Sequence, residues 1–237
     1  MRGIKHMLDN KQIEENKNYF IALIKSIKRD DSDIDGLVDY LENKSDFFTA
    51  PASTVYHNNF EGGLCEHSLN VYKCFMDFVK SNLKIVGADG RTSCQYMYQT
   101  DNWTWTIDED SIKIVTLLHD ISKANYYEKY FVNKKKYSEF GSKHDENGRF
   151  DWVSESAYKV SNESDRFIFS SHGCNSEFIV RSFIPLSVEE SAAIINHHAN
   201  MGEMNTAVNM SEIMNRFSLV TILHISDVLA TFFFERK

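Results

Sequence analysis

Proline is nearly missing from this chain, with two in 237 residues. Long helices therefore meet few breakers. Cysteine is sparse too. Cys65, Cys74, Cys94 and Cys174 form no C-x-x-C pair, and their scatter argues against a disulfide framework and for reduced thiols in a cytoplasmic protein. No apolar run reaches the ~20 residues that span a bilayer, so a membrane is not an expected partner. The opening stretch MRGIKHMLDN lacks the apolar segment of a signal peptide. Net positive charge is missing as well. At −8, the chain has no global basic field to hold nucleic acid by counterion release, so a polynucleotide is a less favoured partner than a small ligand. Repeats, low-complexity tracts and Pro/Gly linkers are also absent.

What remains is an ordinary globular composition, 42% hydrophobic and 25% charged. Apolar residues recur at helical spacing over 11–29, 33–44, 64–80, 109–123, 173–184, 187–199 and 211–235. The stretch 47–53, FFTAPAS, reads as a turn. Residues 87–107 are mixed, with WTWTI alternating like a short strand. Residues 126–169 break into short aromatic-rich pieces around DENG, a hairpin-type turn signal. The expectation is a mostly α fold, a helical bundle with a small β-hairpin insertion. Residues 1–45 are expected to form helices packing on a main domain over 46–237, with the insertion at about 126–169.

The stretch LLHDISK, 117–123, places His119 and Asp120 at the end of a greasy helix. Burying the two together costs several kcal/mol unless each finds a partner. Other polar groups fall on apolar helices: His67 in GGLCEHSLNV, His172 after FIFSS, His197 and His198 in AAIINHHAN, and Asp227 in LVTILHISDVLATFF with His224 one turn earlier. Any one of these, taken alone, reads as a core histidine bonded to a carbonyl or as a capping aspartate. Taken together they read as one divalent metal centre at the middle of a bundle, because neutral imidazoles and carboxylates are natural ligands and facing helices a natural place to hold them.

The ordered set His67, His119-Asp120, Asp227 resembles the H…HD…D signature of the HD-domain metal-dependent phosphohydrolases. His172 and His197 resemble the two extra histidines of its two-metal members. The words GGLCEHSLNVY, LLHDISKANYY, SSHGCNSEFIVRSFIPLSVEESAAIINHH and LHISDVLATFFFE carry the likeness over roughly 37–235. It extends more distantly to the HD domains of YhaM-type 3′–5′ exoribonucleases and YqeK-type dinucleotide hydrolases. Cys174 and Asn175 stand where the family commonly has Glu and Lys. In NHHA, His197 takes the position of the family's single His, leaving His198 as a substrate or supporting group.

The resemblance implies one ion on His67, His119, Asp120 and Asp227, and a second on His172 and His197 with Asp120 bridging. A carboxylate can span two cations ~3.5–4 Å apart and an imidazole cannot. It also implies a metal-activated water as nucleophile, with manganese the first expectation and iron, nickel, cobalt, zinc or magnesium as alternatives. Asp120 and Lys123 are the expected catalytic groups, Lys123 as a phosphate contact one turn on; an ordinary surface lysine is the bland alternative. His57, ten residues before His67, is either a donor to the leaving group or a turn histidine. Gly62 and Gly63 are expected to permit close backbone approach. In the insertion, Tyr126 and Lys129 head a run of aromatics and cations that is either a lid over a nucleobase and its phosphates or a hairpin packed on the bundle. His6 and His144 are expected at the surface, and Phe232, Phe233 and Phe234 in the core or at a homo-oligomer interface.

The function expected is hydrolysis of a phosphoester or phosphoanhydride in a nucleotide-like substrate. A 3′–5′ exonuclease on single-stranded RNA or DNA, and a mixed-valent di-iron oxygenase of the same superfamily, stand as alternatives. A non-enzymatic nucleotide binder is disfavoured, since unused buried ligands are costly.

Overall fold

Five of the α-helices begin where the sequence supplies a side-chain cap. In the computed structural model, which describes residues 7–87, 94–162, 166–198 and 210–235, Asp9 and Gln12 form a capping box at the start of α1 (Asn10–Lys25). Asp33 accepts the Gly36 N–H to open α2 (Ile34–Asp39), which runs into a π-helical turn over Tyr40–Lys44. Asp108 accepts the Ser111 N–H ahead of α4 (Glu109–Leu118). Ser171 caps α5 (His172–Arg181), and Ser187 with Glu190 forms the capping box of α6 (Val188–Asn196). Helix α3 (Gly63–Asn82) instead starts from Gly62 in the left-handed region, φ 82°. His6 lies outside the described residues.

The C-terminal periodic stretch is not one helix. Phe217 is extended, φ −127° and ψ 96°, and separates α7 (Met210–Arg216) from α8 (Ser218–Leu229), with a bend of 111° between them. A π-helical turn, Ala230–Phe234, follows. Among the described residues no single helix is long and apolar enough to cross a membrane.

The expected helical bundle with one small hairpin is overturned. The described residues hold two three-stranded antiparallel sheets, and the fold is mixed α and β. The first sheet, ordered β1-β2-β3, joins β1 (Lys84–Gly87), β2 (Gln95–Gln99) and β3 (Thr104–Asp108). Only Tyr96 and Ile107 of its residues are buried, so the alternation that would announce three strands is faint. Pairing between strands, rather than a strong local pattern, holds them. The second sheet has order β4-β6-β5. Its β4 (Tyr127–Tyr137) pairs along all 11 residues with the 13-residue β6 (Gly148–Val160), making a long ribbon rather than a small hairpin. The DENG turn does close a hairpin, between β5 (Lys143–Asp145) and β6.

One core unites the helices. Phe20 and Ile24 of α1, Leu37 of α2, Leu64, Phe75 and Val79 of α3, Val180 of α5, Ile194 of α6 and Leu223 of α8 are all within it. Helix α4 runs through the middle, with every residue from Asp110 to Leu118 buried. A helix buried at nearly every position has to be enclosed, its polar residues paired as Lys113 is with Glu109 and Asp110, and α3, α1 and α6 enclose it. Its C-terminal end therefore opens inside the protein, and the next two residues are His119 and Asp120.

Candidate metal centre

Five elements converge on that end. The α4 helix stops at Leu118, earlier than the periodicity suggests, and a 3₁₀ turn over Ile121–Lys123 follows. His119 and Asp120 sit between the two, 0% and 1% exposed. Helix α3 supplies His67. Its start is held tight to the preceding loop: a Cβ on Gly63 would lie 2.1 Å from the Asn58 carbonyl oxygen, so only glycine lets the loop that carries His57 pass so close. The His57 and His67 ring centroids are consequently 4.7 Å apart.

Helices α5 and α6 meet in the same way. A Cβ on Gly173 would lie 2.5 Å from the Ile195 carbonyl oxygen. That approach brings His172 Nε2 within 3.1 Å of His197 Nε2. Ser122 ties α5 to the 3₁₀ turn, donating from Oγ to the His172 carbonyl and accepting from Ser176 Oγ. Asn175 carries no charge where the resemblance led to a charged residue. Its Oδ1 instead accepts the Phe169 and Ser170 N–H groups and pins the loop ahead of α5.

Asp120 is the hub. Its Oδ2 lies 3.7 Å from His67 Nε2, 3.5 Å from His119 Nε2 and 2.6 Å from Lys123 Nζ. Its Oδ1 lies 3.5 Å from His197 Nε2 and 3.7 Å from His172 Nε2. From α8, Asp227 Oδ1 is 3.2 Å from His67 Nε2. His119 and His197 are oriented identically, each Nδ1 facing the carbonyl three residues back, Thr116 at 2.9 Å and Ile194 at 2.7 Å. Donating through Nδ1 leaves each Nε2 lone pair aimed at the hub.

These groups could hold a metal ion. Asp120 with His172, His197 and His198, His67 with His119 and Asp120, and His119 with His197 and Asp227 each present one ligand atom within 4.8 Å of the others. The donor set is nitrogen and oxygen, which suits a divalent cation. Three of the buried atoms, His67 Nε2, His119 Nε2 and Asp120 Oδ1, have no hydrogen-bond partner among the described residues. Buried polar atoms left that way are costly, and one shared cation would satisfy them.

The electrostatics are those of a closed, charge-dense pocket. Burial alone would raise the Asp120 carboxyl, but Lys123 and His119 hold it well below the usual range. Burial would lower the Lys123 ammonium, and Asp120 keeps it raised. Burial would raise Asp227 too, and His67 pulls it down. Burial pushes His119 down, His57 and His172 to about 3 and His198 to about 4. His67 goes the other way. Burial lowers it, but the carboxylates of Glu235 and Asp227 raise it to about 10.

Glu235 is the partner that sequence reasoning missed. It follows the π-helical turn, and its Oε1 and Oε2 lie 3.1 and 3.2 Å from His67 Nδ1, with Asn70 Nδ2 donating to Oε1 at 2.9 Å. The one available signal was a carboxylate closing an aromatic run that had no other use for it.

A cavity of about 350 Å³ opens onto the centre, lined by Tyr56, His57, Lys123, His198, His224, Asp227, Val228, Thr231 and Phe232. Lys123 and His57 therefore face it as well as the hub. His197 turns inward at 1% exposure, while the His198 side chain is 45% exposed with Nε2 3.9 Å from Asp227 Oδ2. Tyr126 and Lys129 are not in the lining. Tyr126 packs on Tyr127 and Arg166, and Lys129 pairs with Glu61 at 2.7 Å. Phe232, Phe233 and Phe234 are exposed rather than in the core, and so is His144.

No family model, curated protein or solved structure matches the chain.

Proposed function

We propose that this protein is an HD-type metal-dependent phosphohydrolase that cleaves a phosphoester or phosphoanhydride bond in a nucleotide or nucleotide-like substrate. The observation that carries the reading is the two-sided use of Asp120. One oxygen faces His67 and His119, the other faces His172 and His197. His67, His119, Asp120 and Asp227 would hold one cation; His172 and His197, sharing Asp120, would hold a second. The chemistry such a cation would supply is polarisation of phosphoryl oxygens and a water acidic enough to serve as nucleophile near neutral pH.

The chain's own groups do the rest. Lys123 Nζ, anchored on Asp120 and facing the cavity, donates to a phosphoryl oxygen and offsets the negative charge that grows there. His57 and His198 face the same cavity and present N–H groups to the oxygen that leaves. Thr116 and Ile194 carbonyls keep His119 and His197 in one tautomer, so the lone pairs that must bind are already oriented. Nearly complete burial of the hub excludes bulk water and strengthens each of these interactions.

The exonuclease reading is disfavoured by how the ribbon spends its cations. Lys129, Lys134, Lys135 and Lys159 pair with Glu61, Glu155, Asp145 and Glu128, so that of the ribbon's cations Lys136, Lys143 and Arg149 are left, a short track for a polynucleotide backbone.

The deciding experiment is a nucleotide panel with added manganese, with phosphate and nucleoside release measured for wild type and Asp120→Ala, and metal content determined for both. We expect turnover and bound metal in wild type. The variant should remain folded by near-ultraviolet circular dichroism and lose roughly three orders of magnitude in rate. Undiminished turnover in Asp120→Ala, or a wild type that binds no divalent ion and releases nothing from the panel, would overturn the reading.

A further inference from the structure

We infer that the cavity over the centre selects an ester carrying a single phosphoryl group on a flat, apolar moiety, in preference to a di- or triphosphate. This rests on the phosphohydrolase reading and narrows its substrate class.

Charge limits the ligand first. Among the described residues lining the cavity, Lys123 is the one lysine or arginine. Outside the lining, Lys129 pairs with Glu61, Arg166 with the Tyr126 ring and hydroxyl, and Lys73 lies over the Phe234 ring. Each added phosphoryl group needs its own charge-assisted donor to offset lost hydration. The ions of the centre and Lys123 serve the phosphoryl group that reacts; among the described lining residues no second lysine or arginine remains for another, and the other charged side chain is the carboxylate of Asp227.

Shape and surface limit it further. At about 350 Å³ the cavity is near the lower end for small-molecule sites, which run from ~300 to 1,000 Å³. Its outer wall is Tyr56, Val228, Thr231 and Phe232. Tyr56 is 80% exposed and Phe232 65% exposed, so two large rings from separate segments stand in water beside a charged floor. The Thr231 hydroxyl lies 3.3 Å from Asp227 Oδ1 and is spent as its donor. Such a wall holds a ligand by ring contact and burial.

The test uses manganese-loaded protein and two inert probes, benzylphosphonate and methylphosphonate, with binding measured by calorimetry. It adds kcat/KM for a nucleoside monophosphate and the matching triphosphate. Benzylphosphonate should bind at least about tenfold tighter, the value of one stacked ring. A Tyr56→Ala, Phe232→Ala double variant, altered only at exposed positions, should shrink that preference to about threefold or less. The monophosphate should be favoured by about tenfold or more. Equal binding of the two phosphonates, or a favoured triphosphate, in a protein that still cleaves phosphate esters overturns this inference and leaves the phosphohydrolase reading standing. If no phosphonate binds and no ester is cleaved, that reading falls and takes the inference with it.

Discussion

The imidazole of His67 and the carboxylate of Glu235, 168 residues apart in the chain, meet at 3.1 Å in the buried interior. The contact closes the protein's C-terminal turn onto α3. It also places a negative charge behind a histidine whose other nitrogen faces Asp120 and Asp227. A carboxylate behind a ligating imidazole fixes its ring and makes it a better donor.

Glu235 should therefore act as a positioning residue. Glu235→Ala should weaken manganese binding about 10- to 100-fold, and Glu235→Gln, which keeps an acceptor for Nδ1–H, should recover much of it. Calorimetric titration of the three proteins, each with its melting temperature, checks this. Equal affinity in all three would refute the role.

The α5–α6 contact yields a second test. Gly173→Ala puts a methyl group 2.5 Å from one backbone carbonyl oxygen and 2.9 Å from another, and backbone cannot swing aside. The helices must separate, costing about 1–3 kcal/mol and pulling His172 from His197. Denaturant unfolding should report the loss, and metal analysis should show weaker retention of a second ion than of the first. An unchanged midpoint would contradict the tight packing.

A third prediction concerns pH and lies away from the centre. Arg29 Nη1 donates to Glu190 Oε2 at 2.7 Å, and the Ser187 N–H donates to the same oxygen. Arg29 also faces Asp108 and Asp110. Burial would raise the Glu190 carboxyl, but these partners hold it below its usual 4.5. The stabilisation is thus complete above about 4.5 and is lost as pH falls through the lower folded value. Glu190→Gln should cost about 2 kcal/mol at neutral pH, and its stability should fall less steeply than wild type's on acidification. Parallel pH profiles of the two proteins would rule the pair out as the cause.

The helices were largely legible because their signals are local. Asp9 with Gln12 and Ser187 with Glu190 are capping boxes within four residues of chain. In α4 the apolar residues Ile112, Ile114, Val115, Leu117 and Leu118 fall on more than one face and demand enclosure. The first sheet was legible only in part: the alternation of WTWTI announced β3, while β1 and β2 expose most of their side chains and owe their form to pairing. The break at Phe217 was also hidden, because an apolar residue at the bend suits the helical period as well as its neighbours do.

Sequence alone determined which residues could form a centre: imidazoles and carboxylates stranded on apolar helices, where only a shared partner relieves their burial. Tertiary structure decided the rest. It turned His197 in and left His198 at the rim, gave each oxygen of Asp120 its own pair of histidines, set Glu235 behind His67, and spent Lys129 on Glu61. Residue type sets what a side chain can bind, and that is readable one position at a time. Which groups it meets depends on distances between segments far apart in the chain, and only the packed fold fixes those.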